Sequence, residues 1–177
     1  MKTGEVLRIE FRQERDDPDY GSCRWADFVF DTEHFELSVF GDRGDYAHVW
    51  PVDKGHPFLK LMAGISGDYL LRKMFREEVV DWERTKEWLV EAVNEADATE
   101  GERETALREL RELEDEYDLT DDYGATTRLV EEWNDNNLEL CDVWEHVKTD
   151  YTYDTKKIVE VFEMYIQPVL RAKVHGA

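Results

Sequence analysis

The spacing of apolar residues changes near residue 56, and this change constrains the fold more than any other feature of the chain. Before it, apolar residues alternate with polar ones, as Leu7, Ile9 and Phe11 do with their charged neighbours, and this is the pattern of a half-buried strand. After it, apolar residues recur every three or four positions, which is the pattern of an amphipathic helix. The sequence therefore predicts an N-terminal sheet packed against helices, an α+β fold.

Four strands are predicted in the first part of the chain. They are Glu5–Gln13, Arg24–Phe30, Glu33–Phe40 and Tyr46–Trp50. Gly41–Asp45 makes a tight turn between the last two strands, and Pro51 ends the fourth because proline cannot donate a ladder hydrogen bond. The short connections favour an antiparallel meander, since parallel strands need long crossovers.

Helical segments are predicted from residue 56 onward. Their ranges are 58–65, 69–75, Trp82–Ala96, Thr99–Tyr117, Ala125–Asn134, Leu138–Val147 and Lys156–Lys173. Thr99 and Glu102 fit a capping box at the start of the fourth segment. Pro168 is expected to kink or interrupt the last segment near Tyr165. No linker divides the chain, so we predict one domain over residues 1–177, mainly β in 1–55 and mainly α in 56–177.

The chain is strongly acidic and rich in aromatic residues. It carries 43 acidic and 22 basic side chains, for a formal net charge of −21, with 6 Trp, 8 Tyr and 8 Phe. Disordered chains are poor in aromatic residues, so we expect a packed core. The negative charge would repel phosphates, which argues against direct binding to nucleic acid.

The acidic residues are concentrated in the middle of the chain. Residues 81–150 hold 24 acidic and 7 basic side chains. The acidic side chains that we predict to bind a partner are Glu112, Asp115, Glu116, Asp118, Asp121, Asp122, Glu131 and Glu132. Trp133 or Trp144 would add an apolar anchor where its ring is exposed, because Trp is favoured in binding hot spots.

Two interpretations of this acidity stay open. One is a solvated helical surface or an adaptation to salt, although salt adaptation should spread acidic residues over the whole chain. The other is a face that meets a basic groove, because helical carboxylates three or four residues apart lie roughly 5–6 Å from each other. That spacing is of the same order as the spacing of phosphates along a nucleic-acid strand. Charge reversal at Asp118, Asp121 and Asp122 together should then abolish binding and leave the thermal midpoint unchanged.

The sequence contains no strong catalytic or metal motif. The 5 histidines and 2 cysteines form no H-E-x-x-H or C-x-x-C pattern. Asp118, Asp121 and Asp122 precede a glycine, but their spacing does not fit a calcium loop. Cys23 and Cys141 are expected to be reduced and buried, with a disulfide between them as the less favoured alternative. We therefore predict no cofactor, no metal site and no enzymatic activity, with a metal-assisted nucleotide hydrolase as the least favoured alternative.

An aromatic set lies on one face of the fourth predicted strand. Its members are Tyr46, His48 and Trp50. Packing in the core is the default interpretation of such a set. The alternative is an anchor for a protein or small ligand, because Trp and Tyr are favoured where binding energy is concentrated.

Three segments of the chain carry a shared pattern. A strand leads into the hairpin motif Asp-x-Gly-x-Tyr-x-x-x-Trp, supplied by Asp42, Gly44, Tyr46 and Trp50. The other segments are Asp68–Met74 and Phe162–Leu170, where an aromatic residue precedes Pro-x-Leu. Together they resemble a family of small uncharacterised accessory proteins of bacteriophages and prophages.

The resemblance implies a phage accessory protein that acts in the host cytoplasm, and it supplies no catalytic residues. Small acidic phage proteins of that setting include inhibitors of host defence, such as anti-CRISPR and anti-restriction proteins. The N-terminus lacks the apolar core of a secretory signal, which agrees with a cytoplasmic location. We predict a non-enzymatic inhibitor that binds a basic surface on a host protein or protein–nucleic-acid complex. A binding module that uses Tyr46, His48 and Trp50 is the alternative.

Overall fold

The computed structural model describes residues 6–52, 57–76, 78–120 and 122–176. The chain divides into two compact units. The sheet unit is Met1–Glu77 with Tyr151–Ala177, and the acidic unit is Glu78–Asp150. The predicted α+β class is confirmed, because an antiparallel sheet precedes a mainly helical remainder. The prediction of a single domain concerns whether the two units fold together, and it stays a prediction.

An antiparallel sheet forms the first part of the sheet unit. Its strands are β1 Val6–Arg12, β2 Trp25–Asp31, β3 Glu36–Gly41 and β4 Gly44–Val49. They pair in chain order, which confirms the predicted meander. Phe28 lies opposite Ile9 on one side and Val39 on the other, so apolar side chains align across the strands on one face. Phe28 and Val39 are completely buried, and this face therefore forms one wall of the core.

The third strand begins three residues later than predicted. The Asp31 carboxylate accepts hydrogen bonds from the backbone N–H groups of Glu33 and His34, both at 2.9 Å. These bonds turn the chain, and Phe35 follows in the left-handed region with φ +56°. A residue in that conformation does not continue a strand. The local side-chain bonds therefore override the alternating pattern at residues 33–35.

The helices and the remaining strands follow the sheet. They are α1 Phe58–Gly64, α2 Gly67–Met74, β5 Glu78–Val80, α3 Trp82–Glu95, α4 Glu100–Glu116, α5 Tyr123–Asn137, a 3-10 turn Val143–His146, β6 Thr149–Tyr151, α6 Tyr153–Val161 and α7 Gln167–His175. Strands β5 and β6 pair with each other. None of these helices is long and apolar enough to cross a membrane, within the ranges that the structure describes.

The last helical segment is interrupted, as predicted. A π-helical turn at Phe162–Ile166 separates α6 from α7. Pro168 is the second residue of α7 and has no backbone N–H to donate, so the hydrogen-bond register shifts just before it. The Gln167 N–H donates to the carbonyl of Phe162. The Gln167 side chain donates to the Ile65 carbonyl at 2.6 Å, which fixes this turn against the end of α1.

The acidic unit has its own apolar core, formed by one face each of α3, α4 and α5. Leu89, Leu110 and Val130 are at most 1% exposed and represent the three helices in it. The predicted capping box at the start of α4 is confirmed. The Thr99 hydroxyl accepts from the Glu102 N–H at 3.4 Å, and the Glu102 carboxylate accepts from the Thr99 N–H at 2.7 Å.

The helix predicted over Leu138–Val147 is wrong. Only the short 3-10 turn forms there, because Glu139 and Asp142 have φ values of +48° and +52°, which no α-helix accommodates. The Asn134 side chain, near the end of α5, bonds both backbone groups of Leu140 at 2.7 and 3.0 Å. A side chain thus supplies the hydrogen bonds that a continued helix would have made.

The two cysteines differ in environment. Both are free, and Cys23 is buried as predicted, whereas Cys141 is exposed and the prediction for it is wrong. Burial raises the pKa of the Cys23 thiol to about 12, so this thiol stays protonated and unreactive at neutral pH.

Candidate functional site

The charge asymmetry of the sequence follows the boundary between the two units. The acidic unit carries 25 acidic and 7 basic side chains, whereas the sheet unit carries 18 and 15. The sheet unit is therefore close to neutral, and almost all of the net negative charge belongs to the acidic unit.

A groove of about 270 Å³ runs between α4 and α5 of the acidic unit, and we call it the acidic groove. Its carboxylates are Glu109, Glu112, Glu116 and Glu132. Its apolar residues are Leu113, Leu129 and Trp133, and Tyr117 and Asn136 complete it. The groove thus combines an apolar floor with a carboxylate rim.

Helical periodicity places these carboxylates together on α4. Glu109, Glu112 and Glu116 are spaced by three and four residues, so they share one side of the helix. The neighbouring face carries the core residue Leu110 and, one turn later, Leu113. The acidic rim is therefore a direct consequence of the amphipathic pattern of α4.

The indole of Trp133 fixes α5 against α4. Its ring is 4% exposed, and its Nε1–H donates to the Ala106 carbonyl at 3.0 Å. A buried indole with a satisfied N–H has one preferred placement. The bond therefore sets how far apart the two walls of the acidic groove lie.

The two ends of the acidic groove differ in how far their charge is compensated. Arg108 lies 3.5 Å from Glu109 and 3.6 Å from Glu112. Glu116 and Glu132 form no ion pair with any residue in the described ranges. The negative charge of Glu116 raises the pKa of the Tyr117 phenol, and Glu132 contributes less to this shift. Cations should therefore bind preferentially at the Glu116 end.

A second cavity, of about 350 Å³, lies in the sheet unit beside β4 and the end of α2. Tyr46 and His48 line it, together with Lys73, Phe75 and Arg76. Trp50 does not line it, because its ring is 2% exposed and packs on His48 and Phe58. Of the aromatic set, Trp50 is therefore a core residue, while Tyr46 and His48 are half-buried at a cavity wall.

Comparison with known proteins places the chain in a family. It matches the Phage_phiTE_072 family, a phage family, over residues 3–172. The chain belongs to this phage family. The resemblance to phage proteins predicted from the hairpin and the closing segment is therefore confirmed. No curated protein and no solved structure matches the chain.

The structure brings four of the predicted binding residues of this phage protein into the acidic groove. They are Glu112, Glu116, Glu132 and Trp133. Asp115 is exposed on α4, and Glu131 is half-buried on α5, and neither lines the groove. Trp133 forms part of the buried floor of the groove and is not an exposed anchor, whereas Trp144 is 46% exposed.

Two other predicted residues have structural hydrogen bonds. The Asp118 carboxylate accepts from the backbone N–H and the hydroxyl of Thr120, at 3.1 and 2.7 Å, and these bonds lower the pKa of Asp118. Asp122 is the N-cap of α5 and accepts from the Ala125 N–H at 2.9 Å. Asp121 lies outside the described residues. Charge reversal at Asp118 and Asp122 would therefore disturb the entry to α5 as well as any binding surface.

Five residues that line the acidic groove were missed in the sequence: Glu109, Leu113, Tyr117, Leu129 and Asn136. Glu109 could have been found, because it lies one turn before Glu112 on the same side of α4. Leu129 carries no such signal, since it meets the α4 carboxylates only through the packing of α5 on α4, whereas Tyr117 directly follows Glu116 at the end of α4. In the part of the chain that the structure describes, the acidic groove included, no group of three or more His, Cys, Asp and Glu side chains could hold a metal ion.

Proposed function

We propose that this phage protein is a non-enzymatic inhibitor that binds a basic surface of a host defence or nucleic-acid-handling complex through the acidic groove. The observation that carries the proposal is the pairing of a carboxylate rim with an apolar floor in a groove of about 270 Å³. Membership of a phage family supports a partner from the host, and the carboxylates of the groove support a basic contact surface on that partner.

The acidic groove suits the side chain of a lysine or an arginine. Such a side chain has an apolar stem and a cationic head. The stem would pack on Leu113 and Leu129, while the head would meet Glu116 and Glu132, the carboxylates without an ion-pair partner in the described ranges. A charge-assisted hydrogen bond of this kind is about twice as strong as a neutral one.

The uneven distribution of charge supports a binding role over simple solvation. Adaptation to salt would make the surfaces of both units acidic, whereas the sheet unit carries 18 acidic and 15 basic side chains. A local excess of carboxylates attracts a basic partner and speeds its association through electrostatic steering. The same carboxylates resemble the phosphates that such a partner binds, so they would compete with nucleic acid for one surface.

The test compares two variants that lose the same charge. The groove variant is Glu112→Gln, Glu116→Gln and Glu132→Gln, and the control variant is Glu83→Gln, Glu87→Gln and Glu91→Gln on the exposed side of α3. Each protein is used to capture partners from host lysate at low and at high salt. The captured complex is then tested for displacement of a fluorescent oligonucleotide.

We expect the wild-type protein and the control variant to retain the same nucleic-acid-binding complex at low salt and to release it at high salt, where charge is screened. The groove variant should bind at least about tenfold more weakly, and only proteins that bind should displace the oligonucleotide. An equal loss in both variants would show that total charge, and not the groove, is responsible. Binding that is insensitive to salt would overturn the electrostatic mechanism.

A further inference from the structure

The cavity of the sheet unit has the opposite electrostatic character to the acidic groove, and we call it the cationic cleft. It is lined by Lys73 in the last turn of α2, by Arg76 two residues after that helix and by His48 on β4, with Asp45 as the one carboxylate among the lining residues. Lys73 and Arg76 are exposed, and neither forms an ion pair with a carboxylate in the described part of the chain. Two cations without an ion-pair partner among the described residues are unexpected beside one cavity of a chain whose net charge is −21.

Aromatic side chains form part of the lining of the cationic cleft, and their contacts hold them in place. The ring of Tyr46 contacts Phe75 edge to face at 4.5 Å, and its hydroxyl donates to the Arg43 carbonyl at 2.7 Å. The ring of His48 contacts Trp50 edge to face at 4.6 Å. Because these contacts hold Tyr46 and His48 in place, a ligand ring would meet a preformed surface.

The environment of the cationic cleft lowers the pKa of a histidine that lines it. Burial, together with the positive charges of Lys73 and Arg76, lowers the pKa of His48 below its usual value. The imidazole is therefore neutral at pH 7 in the free protein, and it can accept or donate a hydrogen bond there. A ligand anion near these side chains would be attracted by the same charges that disfavour the imidazolium.

We propose that the cationic cleft binds a small organic anion. This ligand is a phosphate monoester that carries a ring and has the size of a mononucleotide. Lys73 and Arg76 would bind the phosphate, since Arg offers paired donors and Lys a point charge. Tyr46 and His48 would contact the ring. The volume of about 350 Å³ lies in the range of small-ligand pockets. A polyanion is disfavoured, because the negative charge of the chain would repel its further phosphates. The proposal does not depend on the acidic groove.

The test titrates the full-length protein with the four ribonucleoside 5′-monophosphates by calorimetry. Adenosine and inorganic phosphate are the probes for the ring alone and for the anion alone. The cleft variant is Lys73→Gln with Arg76→Gln. The matched control is Lys60→Gln with Arg72→Gln, two exposed cations of the same unit that do not line the cleft. Thermal midpoints establish that all variants fold.

We expect at least one nucleoside monophosphate to bind with a Kd below about 1 mM and to shift the ring resonances of His48. Adenosine and phosphate alone should bind at least about tenfold more weakly, and the cleft variant should lose at least about tenfold in affinity while the control changes less than about twofold. The proposal is overturned where no monophosphate binds in this range, or where the cleft variant binds as well as the control. Tighter binding of phosphate alone would show an adventitious anion site.

Discussion

The sheet unit and the acidic unit use their charged residues in different ways. In the sheet unit carboxylates are paired in the fold: Asp27 lies 2.7 Å from both Arg8 and Arg12, and Asp154 lies 2.9 Å from Arg43. The acidic unit has 25 carboxylates and only 7 cations, so most of its carboxylates cannot be paired. The acidic unit does contain ion pairs, such as Lys86 with Glu114 at 2.6 Å, but it leaves a much larger excess of carboxylates without a cation than the sheet unit does.

This difference explains why the acidic unit can tolerate its charge. Like charges on a helical surface repel by only a few tenths of a kcal/mol per pair, whereas a buried apolar side chain contributes about 1.5–3 kcal/mol. The faces of α3, α4 and α5 that carry Leu89, Leu110 and Val130 are fully covered. The repulsion between carboxylates is therefore small beside the stabilisation by the core, and the helices can carry these carboxylates at their surface.

The largest expected effect comes from the core of the acidic unit. Trp133→Ala removes a large buried ring and its hydrogen bond to Ala106, so we expect the free energy of unfolding to fall by about 3–5 kcal/mol. Trp144→Ala is the control, because that ring is 46% exposed, and it should change stability by less than about 0.5 kcal/mol. Chemical denaturation measures both changes.

Hydrogen exchange on the Trp133→Ala variant tests whether the two units unfold separately. We expect protection to fall in peptides of Glu78–Asp150 and to persist in the sheet unit. Equal loss in both units would show that the chain unfolds as one cooperative domain. That result would support the single-domain prediction made from the sequence.

Much of the fold could be predicted because its signals are local. The strands and the capping box at Thr99 follow from alternation and from residue type alone. The errors occur where a side chain bonds to nearby backbone: Asp31 turns the chain before Phe35, and Asn134 redirects it at Leu140. The spacing of apolar residues does not reveal such bonds. The sequence therefore predicted a start of β3 three residues too early and a helix over Leu138–Val147 that does not form.

The acidic groove could be predicted only in part. Glu112 and Glu116 of α4 were predicted, because their spacing depends on one helix, whereas Glu109 was missed. Of the apolar floor only Trp133 was predicted. Leu113 and Leu129 were not, because the floor needs the packing of α5 on α4, and that packing is set by a hydrogen bond between residues 27 positions apart. The N-cap role of Asp122 could have been predicted, because an Asp just before a helical stretch is a typical N-cap. It was missed because Asp122 was assigned to the acidic binding surface.

A smaller effect is expected from the buried carboxylate of the sheet unit. Asp27 is 7% exposed, and its bonds to Arg12 and Arg8 lower its pKa below the ordinary value of 3.8. Asp27→Asn should lower the free energy of unfolding by about 1–2 kcal/mol, a range reduced because both arginines are half-exposed. The control is Asp16→Asn, an exposed aspartate, which should change little.

The pH dependence of this effect follows from the direction of the shift. Since the pKa of Asp27 is lower in the folded than in the unfolded state, its contribution is complete above the ordinary value of 3.8. It is lost as the pH falls through the folded-state pKa. The stability difference between the wild type and Asp27→Asn should therefore shrink in acid. A difference that is constant down to the acid limit would show that packing, and not charge, is responsible.

The smallest effect reports directly on the charge of the acidic groove. Glu116 is the main cause of the raised pKa of Tyr117, and Glu132 contributes less. Glu116→Gln should therefore lower the pKa of Tyr117 toward its ordinary value, and Glu132→Gln should lower it less, as measured from the ring resonances of Tyr117 by NMR. Glu100→Gln is the control, because that side chain lies at the far end of α4 and is 82% exposed. A Tyr117 pKa that is unchanged in both groove variants would mean that solvent screens these carboxylates completely, and the acidic unit would then differ from the sheet unit in composition but not in local electrostatic potential.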